Sequence, residues 1–178
     1  MIKNNKQIYT ISSIFIFLFS LSGLINCVFA GTQVVTLQPD AVVALSGENI
    51  ELKMVYDVIN GDKKTTGLAI RVHYNSKIID TLTIEDPYGE GMVGQTYIAK
   101  DDADNYDNDP ETDKYINIAW IGILGGWPRI LELPGEIGKL LIKTKADSNI
   151  LKTYVRISAK ETSKGYDFKE GSCEILNQ

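Results

Sequence analysis

The sequence predicts an all-β protein built as an antiparallel β-sandwich. Apolar and polar side chains alternate with a period of two, the spacing that puts successive side chains on opposite faces of a strand. Turn-forming clusters such as Asn60-Gly61-Asp62 and Pro134-Gly135 separate the alternating stretches. No stretch shows a helical stripe, so two packed sheets are favoured over a fold with crossover helices. The alternating stretches are 50–56, 68–74, 116–120, 137–145 and 153–158.

One set of apolar side chains in these stretches is predicted to form the core. Trp120 shares a face with two isoleucines of its strand, so we interpret it as a core residue. The predicted inward residues are Ile50, Leu52, Met54, Tyr56, Leu68, Ile70, Val72, Tyr74, Ile116, Ile118, Trp120, Leu140, Ile142, Val155 and Ile157.

Residues 1–30 have the features of a secretory signal peptide. Two lysines precede a mostly apolar stretch, and Val28-Phe29-Ala30 places small residues where a signal peptidase cleaves. The same stretch leaves two alternatives open, a transmembrane anchor and a lipoprotein modified at Cys27. With cleavage, residues 31–178 form one domain that is secreted or periplasmic and has no membrane contact.

Charge and cysteine content exclude several classes of protein. The chain has 18 Lys and Arg against 23 Asp and Glu, and residues 1–30 hold two of the lysines and no acid. The predicted mature chain is therefore acidic, which argues against nucleic-acid binding because that needs clustered basic residues. Its one cysteine, Cys173, cannot form an internal disulfide and is typical of a small buried hydrophobe.

Seven acidic residues crowd into positions 101–113, with no basic residue among them. Their mutual repulsion favours a bound cation, and hard divalent ions such as calcium take carboxylate and carbonyl oxygens. The alternative is a solvated acidic loop that only aids solubility. The predicted calcium ligands are Asp101, Asp102, Asp104, Asp107, Asp109 and Asp113.

His73 is the only histidine and shows no catalytic partner in the sequence. On its strand it is expected to point to solvent or to pair across the sheet, and no catalytic residue is predicted. The small number of histidines and cysteines also excludes a zinc site made of three or four nitrogen or sulfur ligands.

Trp127 and Arg129 are the predicted ligand-binding residues. They lie in a segment rich in glycine and proline, Gly125 to Arg129, where an exposed ring could stack on a sugar or a protein partner. The alternative for Trp127 is that it folds back and closes the end of the sandwich.

The order of these elements resembles the cohesin domain family. The resemblance is carried by a first strand at 33–38, by Gly67 to Asn75, by Gly135 to Lys145, by Gly165 to Phe168 and by the final strand from Cys173. It implies a jelly-roll sandwich related to carbohydrate-binding modules, with dockerins as one class of protein partner. The Tyr74-Asn75-Ser76 turn departs from the cellulosomal pattern, which has Asp-Pro there.

Together these features predict a secreted, non-catalytic module, stabilised by calcium, that binds a carbohydrate or an extracellular protein. One alternative is a small polysaccharide-acting enzyme that uses carboxylates such as Asp109 and Asp113. Another is a structural module of an envelope or matrix assembly.

Overall fold

A computed structural model describes residues 31–123, 126–146, 149 and 151–178. The predicted signal peptide and its two alternatives therefore lie outside the described residues. The strands of the described part are β1 Gly31–Gln38, β2 Ala41–Ala44, β3 Asn49–Ile59, β4 Gly67–Tyr74, β5 Ile79–Glu85, β6 Met92–Gln95, β7 Lys100–Asp101, β8 Lys114–Ile121, β9 Gly135–Thr144, β10 Lys152–Glu161, β11 Tyr166–Lys169 and β12 Ser172–Asn177.

The strands form two sheets, as the alternation predicts. The first sheet has the order β11-β1-β3-β9-β5, and the second has the order β2-β12-β10-β4-β8-β6, with β7 also paired to β8. The predicted all-β jelly-roll sandwich is confirmed. Pairing is antiparallel except at two places, where β1 runs parallel to β11 and β12 runs parallel to β2.

The core lies between the sheets and contains the predicted inward residues. In β3 the burial alternates with the sequence, so that Leu52, Met54 and Tyr56 are fully buried while Glu51 and Lys53 are exposed. Trp120 is buried in the same core, which confirms its predicted role. The alternation of apolar and polar residues in the sequence therefore matches the alternation of buried and exposed side chains, because each central strand has one face in the core.

Cys173 is buried in β12, as the sequence predicts. Burial raises the pKa of its thiol to about 11, with smaller contributions from Asp40 and Glu174. The thiol is therefore protonated at neutral pH, which is the unreactive form.

The described part of the chain holds no helix of the length and hydropathy that crossing a membrane requires.

Candidate functional site

The acidic residues form a loop that lies across the outer face of the second sheet. The loop leaves β7 at Asp101 and enters β8 at Lys114, and these two residues are paired partners in the ladder. Between them, the chain crosses β8 and β4 to reach β10. We call residues 102–113 the acidic loop.

Basic side chains of the sheet anchor the acidic loop. Arg156 of β10 donates from Nε to Asp109 Oδ2 at 2.7 Å. The guanidinium of Arg71 in β4 lies 3.9 Å from the centre of the Tyr106 ring, a cation–π contact. The repulsion between the acids is therefore offset in part by protein cations.

His73 does not point to solvent but pairs across the sheet with Ser158, the second of the two arrangements expected for it. Its ring is fully buried beneath the acidic loop. Nδ1 donates to Asp102 Oδ2 at 2.7 Å, and Nε2 lies 2.7 Å from Ser158 Oγ on β10. The loop covers this half of the face, so His73 is buried on the outward side of β4, where Ala69 and Arg71 are only half-buried.

Asp102, His73 and Ser158 have the connectivity of a hydrolase triad, in which a carboxylate orients a histidine beside a serine hydroxyl. A nucleophilic serine must be reached by a substrate carbonyl. Ser158 is only 2% exposed, because the acidic loop and the neighbouring strands cover it. The chain of hydrogen bonds is therefore suited to holding the loop against the sheet, and not to attack on a substrate.

Two of the six predicted calcium ligands lie close together in the structure. Asp102 and Asp107 lie with His73 in a group whose ligand atoms are all within 4.8 Å of one another, and all three residues are buried. No other group of this kind occurs among the residues that the structure describes. A metal ion bound by the loop would be held here.

The other four predicted ligands have separate protein partners. Asp101 is exposed and pairs with Lys114. Asp104 accepts a hydrogen bond from the Tyr106 hydroxyl, and Asp109 accepts the one from Arg156. Asp113 accepts two hydrogen bonds from Ser76, one from the backbone and one from the hydroxyl, each of 2.7 Å. The six carboxylates therefore do not converge on one ion.

The other half of the same sheet face is open. Two shallow hollows, each of about 310 Å³, adjoin there and share Ala69, Val93 and Ala119. We call the two hollows the groove. Ala69 and Ala119 are paired residues of β4 and β8, so their small side chains form its floor, and Val93 of the edge strand β6 forms one wall.

Polar and charged groups surround the groove floor. Lys100, Lys160 and Asn117 line one hollow, and Glu161 lines the other. Asn117 Oδ1 is buried and accepts no hydrogen bond from the described residues. Buried acceptors are ordinarily paired, so this unpaired oxygen is an exception beside the groove.

Trp127 is not an exposed ligand-binding residue, so this part of the prediction is wrong. Its ring is fully buried and stacks on Trp120 with a centroid separation of 5.5 Å. An isolated bridge between Thr65 and Trp127 brings the backbone of the segment to the end of the sandwich. The alternative, a ring that closes the end of the sandwich, is the one that the structure supports.

Arg129 lies beside Trp127 at the surface and pairs with Glu90. Arg129 Nε donates to Glu90 Oε1 at 2.8 Å, while the Tyr88 hydroxyl donates to Glu90 Oε2. The hydrogen bond from Tyr88, and then the one from Arg129, lowers the pKa of Glu90 to about 2. Burial, followed by the Glu90 carboxylate, raises the pKa of Tyr88 to about 12.

We expect Glu90 to make stability depend on acid pH. Its pKa is lower in the folded than in the unfolded chain, so its contribution is complete above about pH 4.5 and is lost as the pH falls toward 2. The Glu90→Gln variant should therefore lose less stability than the original chain over that range. Urea unfolding at intervals between pH 6 and pH 2 measures the difference, and parallel profiles for the two proteins would contradict it.

Solved structures that match the chain are mostly cohesin modules. A cohesin in a type I cohesin–dockerin complex from Clostridium thermocellum is 14% identical, with 82% of this chain and 99% of that one covered and a TM-score of 0.49. The sixth cohesin of Acetivibrio cellulolyticus scaffoldin B, in complex with a dockerin mutant, is 12% identical, with 84% and 99% covered and a TM-score of 0.49.

A type III cohesin module from the ScaE scaffoldin of Ruminococcus flavefaciens is 9% identical. That match covers 88% of this chain and 94% of the module, with a TM-score of 0.47. The sandwich is cohesin-like. No protein-family model and no curated protein matches the chain.

In this cohesin-like sandwich each of the two carboxylates of the enzyme alternative has a partner of its own. Asp109 is paired with Arg156, and Asp113 with Ser76. Burial opposes ionisation of Asp113, but the donors from Ser76 outweigh it, and the pKa of Asp113 lies below its usual value. A general acid in glycoside hydrolysis needs a raised pKa, so Asp113 is unsuited to that role.

Proposed function

We propose that the chain is a secreted, non-catalytic binding module that takes an extracellular protein partner in the groove. The observation that carries this proposal is the division of one sheet face into two halves. The acidic loop covers and fixes one half, and the groove leaves the other half open, with a floor of small side chains.

The groove can receive a partner because its floor is flat and the side chains at its rim are both apolar and charged. Alanine side chains let a partner's backbone or side chains approach the sheet closely. Val93 is 61% exposed and Met92 is 40% exposed on the adjacent edge strand, and both offer apolar contact area. Lys100 and Lys160 add positive charge at one end, which favours a partner with acidic groups there.

A protein partner fits this groove better than a carbohydrate does. Sugar rings are commonly held by aromatic side chains that offer a flat apolar face. None of the residues lining the hollows of the groove presents an exposed aromatic ring, and the candidate Trp127 is buried in the core. A carbohydrate remains an outcome that the test below distinguishes, and a dockerin-type partner stays a prediction.

Calcium binding by the acidic loop is part of the same proposal. Its support is the concentration of carboxylates in the loop. Secretion is supported by the leader-like composition of residues 1–30.

We expect the Ala119→Arg variant to lose partner binding at least tenfold. The arginine side chain would fill the groove from its floor while the paired backbone of β4 and β8 stays in place. Affinity capture from the secreted fraction of the source organism, with mass spectrometry of the bound proteins and a parallel glycan array, measures the effect.

The Ala41→Arg variant is the matched control, since Ala41 is an exposed alanine in a strand of the same sheet, away from the groove. Circular dichroism checks that both variants fold. A protein partner retained by Ala119→Arg, or lost equally by both variants, would contradict the proposal. Glycan binding that only Ala119→Arg loses would assign the groove to a carbohydrate.

A further inference from the structure

The buried group beneath the acidic loop contains more negative than positive charge. The side chains of His73, Asp102 and Asp107 are all fully buried. Even a protonated His73 supplies one positive charge against two carboxylates. Burying an uncompensated charge is costly, so this arrangement favours a bound cation.

We propose that His73, Asp102 and Asp107 bind one divalent metal ion of the zinc class. The site is independent of the groove and of whichever partner the groove takes. It is also narrower than the predicted calcium site, because it uses two of those six carboxylates and adds a nitrogen ligand.

The three ligand atoms are close to the spacing that such an ion needs. His73 Nδ1 lies 2.7 Å from Asp102 Oδ2 and 3.9 Å from Asp107 Oδ1. Ligands about 2.0–2.1 Å from a tetrahedral zinc ion are about 3.3 Å from one another. Small rotations of the two carboxylates are therefore enough to accommodate the ion between them and the ring.

Neighbouring hydroxyl groups orient the proposed ligands. His73 Nε2 is 2.7 Å from Ser158 Oγ, and a hydroxyl can either donate or accept. When Nδ1 gives up its proton to bind the ion, Nε2 can carry the proton and donate it to Ser158. Thr112 Oγ1 donates to the Asp107 carboxylate at 2.8 Å and fixes its direction.

The same turn holds one more buried oxygen without a donor. Asn105 donates from its backbone to the Asp102 carbonyl at 3.1 Å, and its side-chain Oδ1 is buried and accepts no hydrogen bond from the residues that the structure describes. This oxygen belongs to the turn that also carries Asp102, one of the three proposed ligands.

The donor set distinguishes zinc from calcium. Calcium takes six to eight oxygen ligands and has no preference for imidazole. The buried group offers one nitrogen and two carboxylates in an enclosed space, which suits zinc, cobalt or manganese. We expect calcium to bind more weakly here than zinc does.

The test uses the chain freed of metal with a chelator and then titrated with zinc, manganese or calcium. Calorimetry should show one zinc ion per chain. The melting temperature should rise by about 5–10 °C at a zinc concentration of about one hundred times the dissociation constant, and less with calcium. No shift with any transition metal, or a shift with calcium as large as with zinc, would overturn the proposal.

Two variants locate the site. Asp107→Asn should abolish the zinc shift, whereas Asp104→Asn, the same change at an exposed acid of the loop, should keep it. If Asp107→Asn does not fold, the visible spectrum of cobalt bound to the original chain reports the same site, because four-coordinate cobalt with nitrogen and oxygen ligands gives d–d bands far more intense than those of six-coordinate hydrated cobalt. A cobalt-loaded chain without these bands, or a zinc shift that survives in folded Asp107→Asn, would contradict the assignment.

Discussion

The Trp127→Ala variant should lose about 3–5 kcal/mol of unfolding free energy, the largest effect that we expect from a single substitution in this chain. The Trp127 ring is fully buried and packs on Trp120 and on Tyr56, with a centroid separation of 4.9 Å from the latter. Its Nε1 also donates to the Glu90 carbonyl at 2.8 Å. Truncation would leave a large cavity and a carbonyl without its donor.

Urea or thermal unfolding of the purified variant measures this loss. The unfolding free energy of Trp127→Phe should lie between those of the original chain and Trp127→Ala, because phenylalanine keeps most of the apolar volume but cannot donate to the Glu90 carbonyl. Tyr97→Ala is the control, since Tyr97 is an aromatic residue that is 79% exposed, and its loss should stay within about 0.5 kcal/mol. A Trp127→Ala variant as stable as this control would show that the ring does not support the core.

The Gln33→Leu variant should lose about 2–4 kcal/mol, because a buried amide that joins the two sheets would become apolar. Gln33 lies in β1 of the first sheet, and its Nε2 donates to the Gly67 carbonyl in β4 of the second sheet at 3.0 Å. Its Oε1 accepts a hydrogen bond of 2.7 Å from the Ser163 backbone. Leucine has a similar volume, so the loss would come mainly from the unpaired Ser163 amide.

The matched control for Gln33→Leu is Gln95→Leu. Gln95 is half-buried in the edge strand β6 and makes one side-chain hydrogen bond, to the Ile84 carbonyl of β5 at 3.1 Å, so it also joins the two sheets but at their edge. Its replacement should cost less than about 1 kcal/mol. Equal losses in the two variants, measured by urea unfolding, would mean that the buried hydrogen bonds of Gln33 stabilise the sandwich no more than one half-buried hydrogen bond at its edge.

The central strands were predictable because each has one face in the core, so apolar and polar residues alternate along its sequence with a period of two. Residues 50–56 lie in β3, 68–74 in β4 and 116–120 in β8, and in each the predicted residues are buried. The short strands β6 and β7 were not predictable, since two to four residues give too few alternations. The cohesin resemblance anticipated the jelly-roll order of the sandwich, which the alternation alone does not give.

The candidate site was only partly predictable, because its contacts join residues that are distant in the sequence. The acidic loop is conspicuous in composition, yet nothing in its sequence shows that Asp102 meets His73, which lies 29 positions earlier. Trp127 was ambiguous for the same reason: its bridge to Thr65 spans 62 positions. Local patterns identify which segments are unusual, and tertiary docking decides what they touch.

The two ends of the acidic loop adjoin a single pair of residues in the second sheet. Asp101 and Lys114 are ladder partners, and the Asp102 backbone N–H donates to the Asp113 carbonyl at 2.9 Å. The loop can therefore be shortened or replaced without changing the spacing of β7 and β8, since both ends are already adjacent. Its length, together with its contacts to His73 and Arg156, sets how much of the sheet it covers, so it is the segment through which the open area of this sheet face can be redesigned.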